Sequence, residues 1–149
     1  SVVIARTTIM DQFKISPQLL TDCHAIGKFA LCQLLLHKNG ALPWSILVPE
    51  TDAQELFDLP EKLRTAVMNE AAAVSDFVKN ILYYPKTNFA SIGNLVPQLH
   101  LHVVGRKPGD LCWPAPVWGH LADGPKYSAV RLKEITSLLV QHCALNLLK

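Results

Sequence analysis

The sequence lacks the marks of several protein classes. Its four cysteines (Cys23, Cys32, Cys112 and Cys143) form no C-x-x-C pair, so their spacing fits no zinc ribbon or finger. No window approaches the roughly 18 consecutive apolar residues of a membrane-spanning helix. The opening Ser-Val-Val-Ile-Ala-Arg has neither the charged start nor the long apolar stretch of a signal peptide. We therefore expect a soluble, cytoplasmic protein with no membrane partner and with reduced, mostly buried cysteines.

Neither positive nor negative charge predominates in the sequence. The formal net charge is +2, and no run of basic residues is present. This balance argues against nucleic acid as a partner, so any phosphate group must bind at a local site. The sequence also contains no internal repeat and no G-x-S-x-G motif, so serine hydrolysis is not supported.

What is present suits one globular domain. The chain has 149 residues, of which 50% are hydrophobic, enough to build a core without disulfide or metal support. We expect a single α+β domain over residues 1–149, with an antiparallel sheet of about five strands, one long packed helix and a C-terminal helix. Gly27 is interpreted as a break in the pattern, and an Asp58–Glu61 pair as a capping box at the start of the long helix. The first half of the chain is predicted to contain a short helix over 16–22 and a hairpin of two strands over 29–36 and 44–48, with helix as the alternative for 29–36. A long helix follows from Asp58 to about Ile81. The second half is predicted to contain strands over 87–92 and 98–104, a loop over 107–126 and a helix from Ser128.

The most informative segment is Gln98-Leu99-His100-Leu101-His102-Val103-Val104, in which polar and apolar residues alternate. As a β-strand it places Gln98, His100 and His102 on one face and the apolar side chains on the other. Such a row of polar side chains can bind an anionic group or a metal ion. A half-buried strand with histidines on its outward face is the simpler interpretation for one histidine, and a weaker one for two.

The segment resembles the histidine-triad (HIT) family, whose members hydrolyse or transfer nucleotidyl groups and carry His-φ-His-φ-His-φ-φ, where φ is hydrophobic. Gln98 stands at the first histidine position, and His100 and His102 match the second and third. The longer strings 93–106, 43–49 and 113–119 resemble a bacterial branch of HIT-like hydrolases. The resemblance spans roughly residues 13 to 119.

The resemblance implies roles for the three polar residues of the motif. His100 would be the nucleophile that forms a phosphohistidine, and His102 would contact the phosphate or the leaving-group oxygen. Gln98 is the departure from the family pattern, because a glutamine can orient a neighbour or hold an oxygen but cannot be a general acid. We therefore expect the rate to depend on the pKa of the leaving group, and a Gln98→His substitution to weaken that dependence.

The resemblance also implies substrate-binding residues. Asn88 and Asn94 fall where the family places polar residues on the phosphate side, although Asn94 beside Gly93 could equally form a turn. His37 and Asn39 fall near the ribose position of relatives, with exposed turn residues as the alternative.

Two tryptophans lie in the loop after the motif. Trp113, with Trp118, could stack on a base across a dimer interface or could simply cover the sheet. We expect a homodimer that acts on a nucleotide or nucleoside-phosphate substrate, with no cofactor and no metal.

Two other functions stay open at this point. One is a metal-binding enzyme or module that uses His100, His102 and a third ligand such as His37 or His120. The other is a non-catalytic nucleotide-binding protein in which Gln98 marks lost chemistry. The remaining histidines, His24 and His142, match no motif position and are interpreted as structural or solvated, as is His120 in the favoured function.

Overall fold

A computed structural model describes residues 12–148 of the chain, so the prediction about a signal peptide at residues 1–6 lies outside the described residues. A short 3-10 turn, Leu56–Asp58, precedes the long helix. None of the helices in this range is both long and apolar enough to cross a membrane. In chain order, the elements are α1 (Pro17–Asp22), β1 (Cys23–Lys28), β2 (Cys32–His37), β3 (Trp44–Pro49), α2 (Glu61–Asn80), β4 (Lys86–Ala90), β5 (Leu101–Arg106), α3 (Ala129–Cys143) and β6 (Asn146–Leu147).

The strands form one antiparallel sheet in the order β4-β5-β3-β2-β1-β6. The α+β class and the antiparallel sheet are confirmed, with six strands instead of about five. The predicted hairpin is the β2–β3 pair, in which Cys32 faces Pro49 and Leu36 faces Ser45, so strand was the right choice for this segment. The segment 107–126 contains neither helix nor strand, as predicted.

The sequence did not reveal two of the six described strands, β1 and β6. Gly27, interpreted as a break, lies inside β1 beside a register shift between Ala25 and Gly27. A Cβ atom on Gly27 would lie 2.5 Å from the carbonyl oxygen of Asn146 in β6. The glycine is therefore needed because a neighbouring backbone approaches closely, and it does not end the strand.

The two faces of the sheet bury different residues. Leu99, Leu101 and Val103 pack with Val67, Val74 and other residues of α2 in the larger core. The opposite face buries a second cluster that includes Leu19, Leu35, Trp44, Ile46 and Val104. The alternation along β2 and β5 follows from the two-residue period of a strand. His102, between Leu101 and Val103, is thereby placed on the face opposite α2.

The strand β5 begins later than predicted. It starts at Leu101 instead of Gln98, because its ladders end at the Leu47–Leu101 pair with β3 and the Ala90–His102 pair with β4. Leu99 still packs with Leu101, and the rings of His100 and His102 lie 4.9 Å apart. The predicted row of polar side chains therefore holds for the two histidines, although His100, like Gln98, lies just before the strand.

The long helix also begins later than its sequence pattern indicates. α2 starts at Glu61 with Pro60 as its N-cap residue, and no side chain caps it. Asp58 belongs to the preceding 3-10 turn, so the predicted Asp58–Glu61 capping box is wrong. In α3 the helix start at Ser128 is confirmed, and the Ser128 hydroxyl accepts a hydrogen bond from the Arg131 amide.

A buried ion pair fixes the far end of β5. Arg106, whose side chain is only 1% exposed, donates from Nε and Nη2 to the two carboxylate oxygens of Asp110 at 2.8 and 3.0 Å. Its Nη1 donates to Asn88 Oδ1 on the neighbouring strand at 2.8 Å. The guanidinium lowers the pKa of Asp110 to about 2. The pair ties the loop after β5 to the sheet edge.

Substitution of Asp110 by asparagine is expected to lower the free energy of unfolding by about 3–5 kcal/mol, because the buried guanidinium loses its counter-charge. The native pair contributes fully above the ordinary carboxyl pKa of 3.8, and its contribution falls as the pH drops toward 2. Urea unfolding at pH 7 and pH 3 measures both effects. Glu134→Gln is the matched control, since its ion pair with Arg131 is half exposed and contributes under about 1 kcal/mol. An Asp110→Asn effect equal to that of the control would contradict this account.

Candidate active site

A cleft with a volume of about 940 Å³ lies on the sheet face opposite α2. Strands β2, β3 and β5 form its base with His37, Trp44 and His102. Its walls come from α1, from residues 92–97 and from parts of the segment 117–126. The cleft therefore joins the histidine motif to parts of the chain that are distant in sequence. Its size lies within the range of small-molecule sites.

His100 has a defined tautomer. Its Nδ1 lies 2.7 Å from the backbone carbonyl oxygen of Gln98. Because a carbonyl oxygen only accepts hydrogen bonds, Nδ1 must carry the hydrogen. In the neutral ring the lone pair is then on Nε2. A buried imidazole held in this way has one nitrogen free to act as a nucleophile.

His102 has the opposite tautomer. The Trp44 indole Nε1–H donates to His102 Nδ1 at 3.0 Å, and both side chains are buried. An indole N–H only donates, so Nδ1 holds the lone pair and Nε2 carries the hydrogen. Burial, with smaller effects from His100 and His37, lowers the pKa of His102 to about 3. At neutral pH this side chain is therefore an uncharged donor.

Aromatic rings surround these two histidines. His37 stacks on Trp44 with ring centroids 4.3 Å apart and planes 13° apart. The ring of Trp118 meets those of Trp44 and His102 edge-on at 5.8 and 5.1 Å. Burial lowers the pKa of His37. The cleft thus has a largely apolar, aromatic base on which a planar group could stack.

Five of the residues predicted for the site line the cleft, namely His100, His102, His37, Asn39 and Asn94. Asn39 is 9% exposed, so the alternative of an exposed turn residue is wrong for it. Its Nδ2 donates to the Ala122 carbonyl and its Oδ1 accepts from the Ala41 amide. Both polar atoms of Asn39 therefore hold the cleft wall. Asn94 is exposed at the opposite wall.

Three predicted residues do not line this cleft. The Gln98 side chain accepts from the Ser16 amide and donates to the Lys14 carbonyl, both at 2.8 Å. These bonds hold the Gln98 side chain against the residues before α1, and Gln98 lines a smaller neighbouring cavity together with His100. Asn88 bonds to Arg106, and the Arg106 guanidinium lies 5.5 Å from the ring of Trp113.

Trp44 is the functional residue that sequence reasoning missed. Its motif Pro43-Trp44-Ser45 was noted, but no role was given to the side chain. Trp44 pairs with Val104 and Ile46 pairs with His102, so Trp44 lies diagonally opposite His102 on the same face. The feature that reveals its position is the register of β3 against β5, which cannot be read from the sequence. Trp118, for which two functions were open, does line the cleft.

Comparison with known proteins agrees with this geometry. A protein-family model described as the HIT domain matches residues 18–109. This chain belongs to the HIT domain family. Within residues 12–148 of this HIT protein, no three His, Cys, Asp or Glu side chains are grouped so that they could hold a metal ion.

Solved structures of histidine triad proteins are similar to this HIT domain over most of its length. One from Bradyrhizobium japonicum is 37% identical, with a TM-score of 0.82, and the match covers 87% of this chain and 97% of that one. One from Marinobacter aquaeolei VT8 is 33% identical (TM-score 0.82), and one from Sinorhizobium meliloti 1021 is 31% identical (TM-score 0.83). Both matches cover 89% of this chain and 98% of the other. No curated protein sequence matches this chain.

Asn88→Ala tests whether Asn88 supports the fold or binds substrate. We expect the free energy of unfolding to fall by about 1–3 kcal/mol, because one donor of a buried guanidinium loses its acceptor. We expect KM for any nucleotide substrate to stay within about threefold, equivalent to under about 1 kcal/mol. Denaturant unfolding and steady-state kinetics measure the two quantities. Unchanged stability together with a tenfold higher KM would restore the substrate-binding role.

Proposed function

We propose that this chain is a nucleotide-binding hydrolase or transferase that breaks a nucleoside monophosphate linkage through a phosphohistidine on His100. The observation that carries the proposal is the pair of opposite tautomers at neighbouring positions. One ring offers a lone pair on Nε2, and the next offers a hydrogen on Nε2. Phosphoryl transfer requires both a nucleophile and a donor to the phosphate oxygens.

In the proposed first step, Nε2 of His100 attacks the phosphorus of the nucleoside phosphate. The bond from phosphorus to the leaving group breaks, and the leaving group takes the electron pair. The His100 ring becomes cationic, and its Nδ1–H bond to the Gln98 carbonyl becomes charge-assisted and stronger. In the second step, water or another acceptor attacks phosphorus and releases neutral His100.

The other residues of the cleft have supporting roles in this proposal. Nε2–H of His102 donates to an oxygen on phosphorus or to the leaving atom. Asn94, at the exposed wall, is a candidate phosphate contact. His37 and Trp118 provide flat surfaces for the nucleoside, while Asn39 keeps the wall in place through its two loop bonds.

Gln98 is a positioning residue in this proposal and not a proton donor. Its side chain is anchored to the backbone of Lys14 and Ser16, and its carbonyl oxygen holds His100. The expectation that a Gln98→His substitution weakens the leaving-group dependence stays a prediction.

We also propose a cytoplasmic location and a homodimer. All four cysteines are unpaired, as a reducing compartment requires. Among the described residues, β4 pairs only with β5, so its other edge is free. The apolar side chain of Phe89, on β4, is 43% exposed. A second copy that pairs along β4 would cover it.

His100→Ala is expected to lower kcat by at least about 10³-fold, because the covalent route is removed, and His102→Ala by about 10²–10³-fold. The measurement is single-turnover kinetics with nucleoside phosphoramidates, dinucleoside polyphosphates and nucleotide sugars. His142→Ala, at an exposed position on α3, is the control. Near-normal turnover by His100→Ala would refute the mechanism. Binding of adenosine monophosphate by the native protein, with no turnover of any substrate, would instead favour a non-catalytic nucleotide-binding protein.

Phe89→Asp is expected to convert the dimer into a monomer, because a charge at the β4 edge would be buried in the proposed interface. Sedimentation at micromolar concentration measures the mass. Val130→Asp, which places the same charge on α3 where Val130 is 70% exposed, should leave the dimer intact. A native species of 16.5 kDa would contradict the dimer.

A further inference from the structure

The hydrogen bond from Trp44 to His102 joins two buried side chains at the base of the cleft. Trp44 is 9% exposed and His102 is 5% exposed, and their nitrogen atoms lie 3.0 Å apart. His37 stacks on one face of Trp44 and Trp118 meets its ring edge-on. The indole therefore cannot rotate away without disrupting both neighbours.

This bond limits what His102 can do with a proton. A neutral imidazole with its hydrogen on Nε2 can donate a hydrogen bond, but to give the proton away it would have to become an anion. To become a cation, and so an effective acid, it would need a proton on Nδ1, where the indole N–H already points. His102 is therefore fixed as a hydrogen-bond donor and is unsuited to general acid catalysis.

Gln98, the remaining polar residue of the motif, does not replace the missing acid. A glutamine side chain cannot give up a proton near neutral pH, and this one is bonded to the backbone of Lys14 and Ser16. A leaving group displaced by His100 therefore receives no proton from His102 or from Gln98.

We propose that Trp44 is a positioning residue that locks His102 as a neutral donor, and that the site consequently selects nucleoside phosphoanhydrides over phosphoramidates and alkyl esters. The inference rests on His100 being the nucleophile, as proposed above. When Nε2 of His100 bonds to phosphorus, the phosphorus–oxygen bond breaks and the leaving phosphate departs with the electron pair. A phosphate is stable as that anion, whereas an amine or an alkoxide requires a proton. Water completes hydrolysis and gives its proton to the solvent.

The first test needs no substrate. Long-range ¹H–¹⁵N spectra of the labelled protein distinguish ring nitrogens with and without a hydrogen. We expect His102 to show hydrogen on Nε2 only, and Trp44→Phe to produce a mixture of tautomers. Trp118→Phe is the matched control, because it removes a tryptophan whose ring touches His102 but whose buried Nε1 makes no hydrogen bond within the described residues. A hydrogen on Nδ1 of His102 in the native protein would overturn the proposal.

The second test uses adenylate substrates graded by leaving-group pKa. In the native protein, kcat/KM for anhydrides should be at least about 10²-fold higher than kcat/KM for alkyl amidates, because a general acid usually contributes at least that factor to the rate. Trp44→Phe should reduce this ratio by about tenfold or more, because Nδ1 of His102 no longer faces the indole N–H and is free to take up a proton from the solvent. A native ratio near one would overturn the selectivity. If no substrate turns over, the proposed function fails, while the spectra still decide the role of Trp44.

Discussion

The burial of Leu99, Leu101 and Val103 against α2 is the constraint on which the functional site depends. These side chains are at most 2% exposed, and a strand must direct the intervening residues to the opposite face. His100 and His102 are thereby presented to the cleft together. A shift of one residue in the register of β5 would bury both imidazoles against α2 and expose the leucines. The hydrophobic core and the chemistry of the site are thus set by the same alternation.

Both ends of this functional segment are fixed by polar contacts that extend well beyond it. At its start, the Gln98 side chain bonds to the backbone at Lys14 and Ser16 while the Gln98 carbonyl holds His100. At its end, Arg106 is buried between Asp110 and Asn88. Because hydrogen bonds anchor this segment at both ends, the two histidines have little freedom to move. Such order is what a site needs if it is to align a nucleophile with phosphorus.

The sequence predicted the features that depend on local periodicity. The apolar repeat of α2 and the common face of His100 and His102 follow from residue spacing within one segment, and the β2–β3 hairpin follows from two apolar runs joined by a short connection. It failed where a distant backbone decides the structure. Gly27 was interpreted as a break because nothing nearby in sequence shows that Asn146 approaches it. Gln98 was assigned to the catalytic row because its partners, Lys14 and Ser16, lie more than 80 residues away.

The role of Trp44 could not be predicted for a related reason. Its hydrogen bond to His102 joins residues 58 positions apart and depends on the register of β3 against β5. The sequence could show that a tryptophan begins a strand, but not which imidazole nitrogen it would reach. That nitrogen decides which tautomer His102 adopts, and so what it can offer a substrate. The chemistry of this site therefore depends on tertiary pairing as much as on the motif itself.

The account can be tested most directly by locating the covalent bond to phosphorus. Rapid quenching of a single turnover with an adenylate substrate, followed by peptide mapping and ³¹P spectroscopy, identifies the residue and the ring nitrogen that carry the nucleotidyl group. The tautomer of His100 predicts an adduct on its Nε2, because Nδ1 is bonded to the Gln98 carbonyl. An adduct on Nδ1, an adduct on His102, or turnover with no adduct at all would contradict the account.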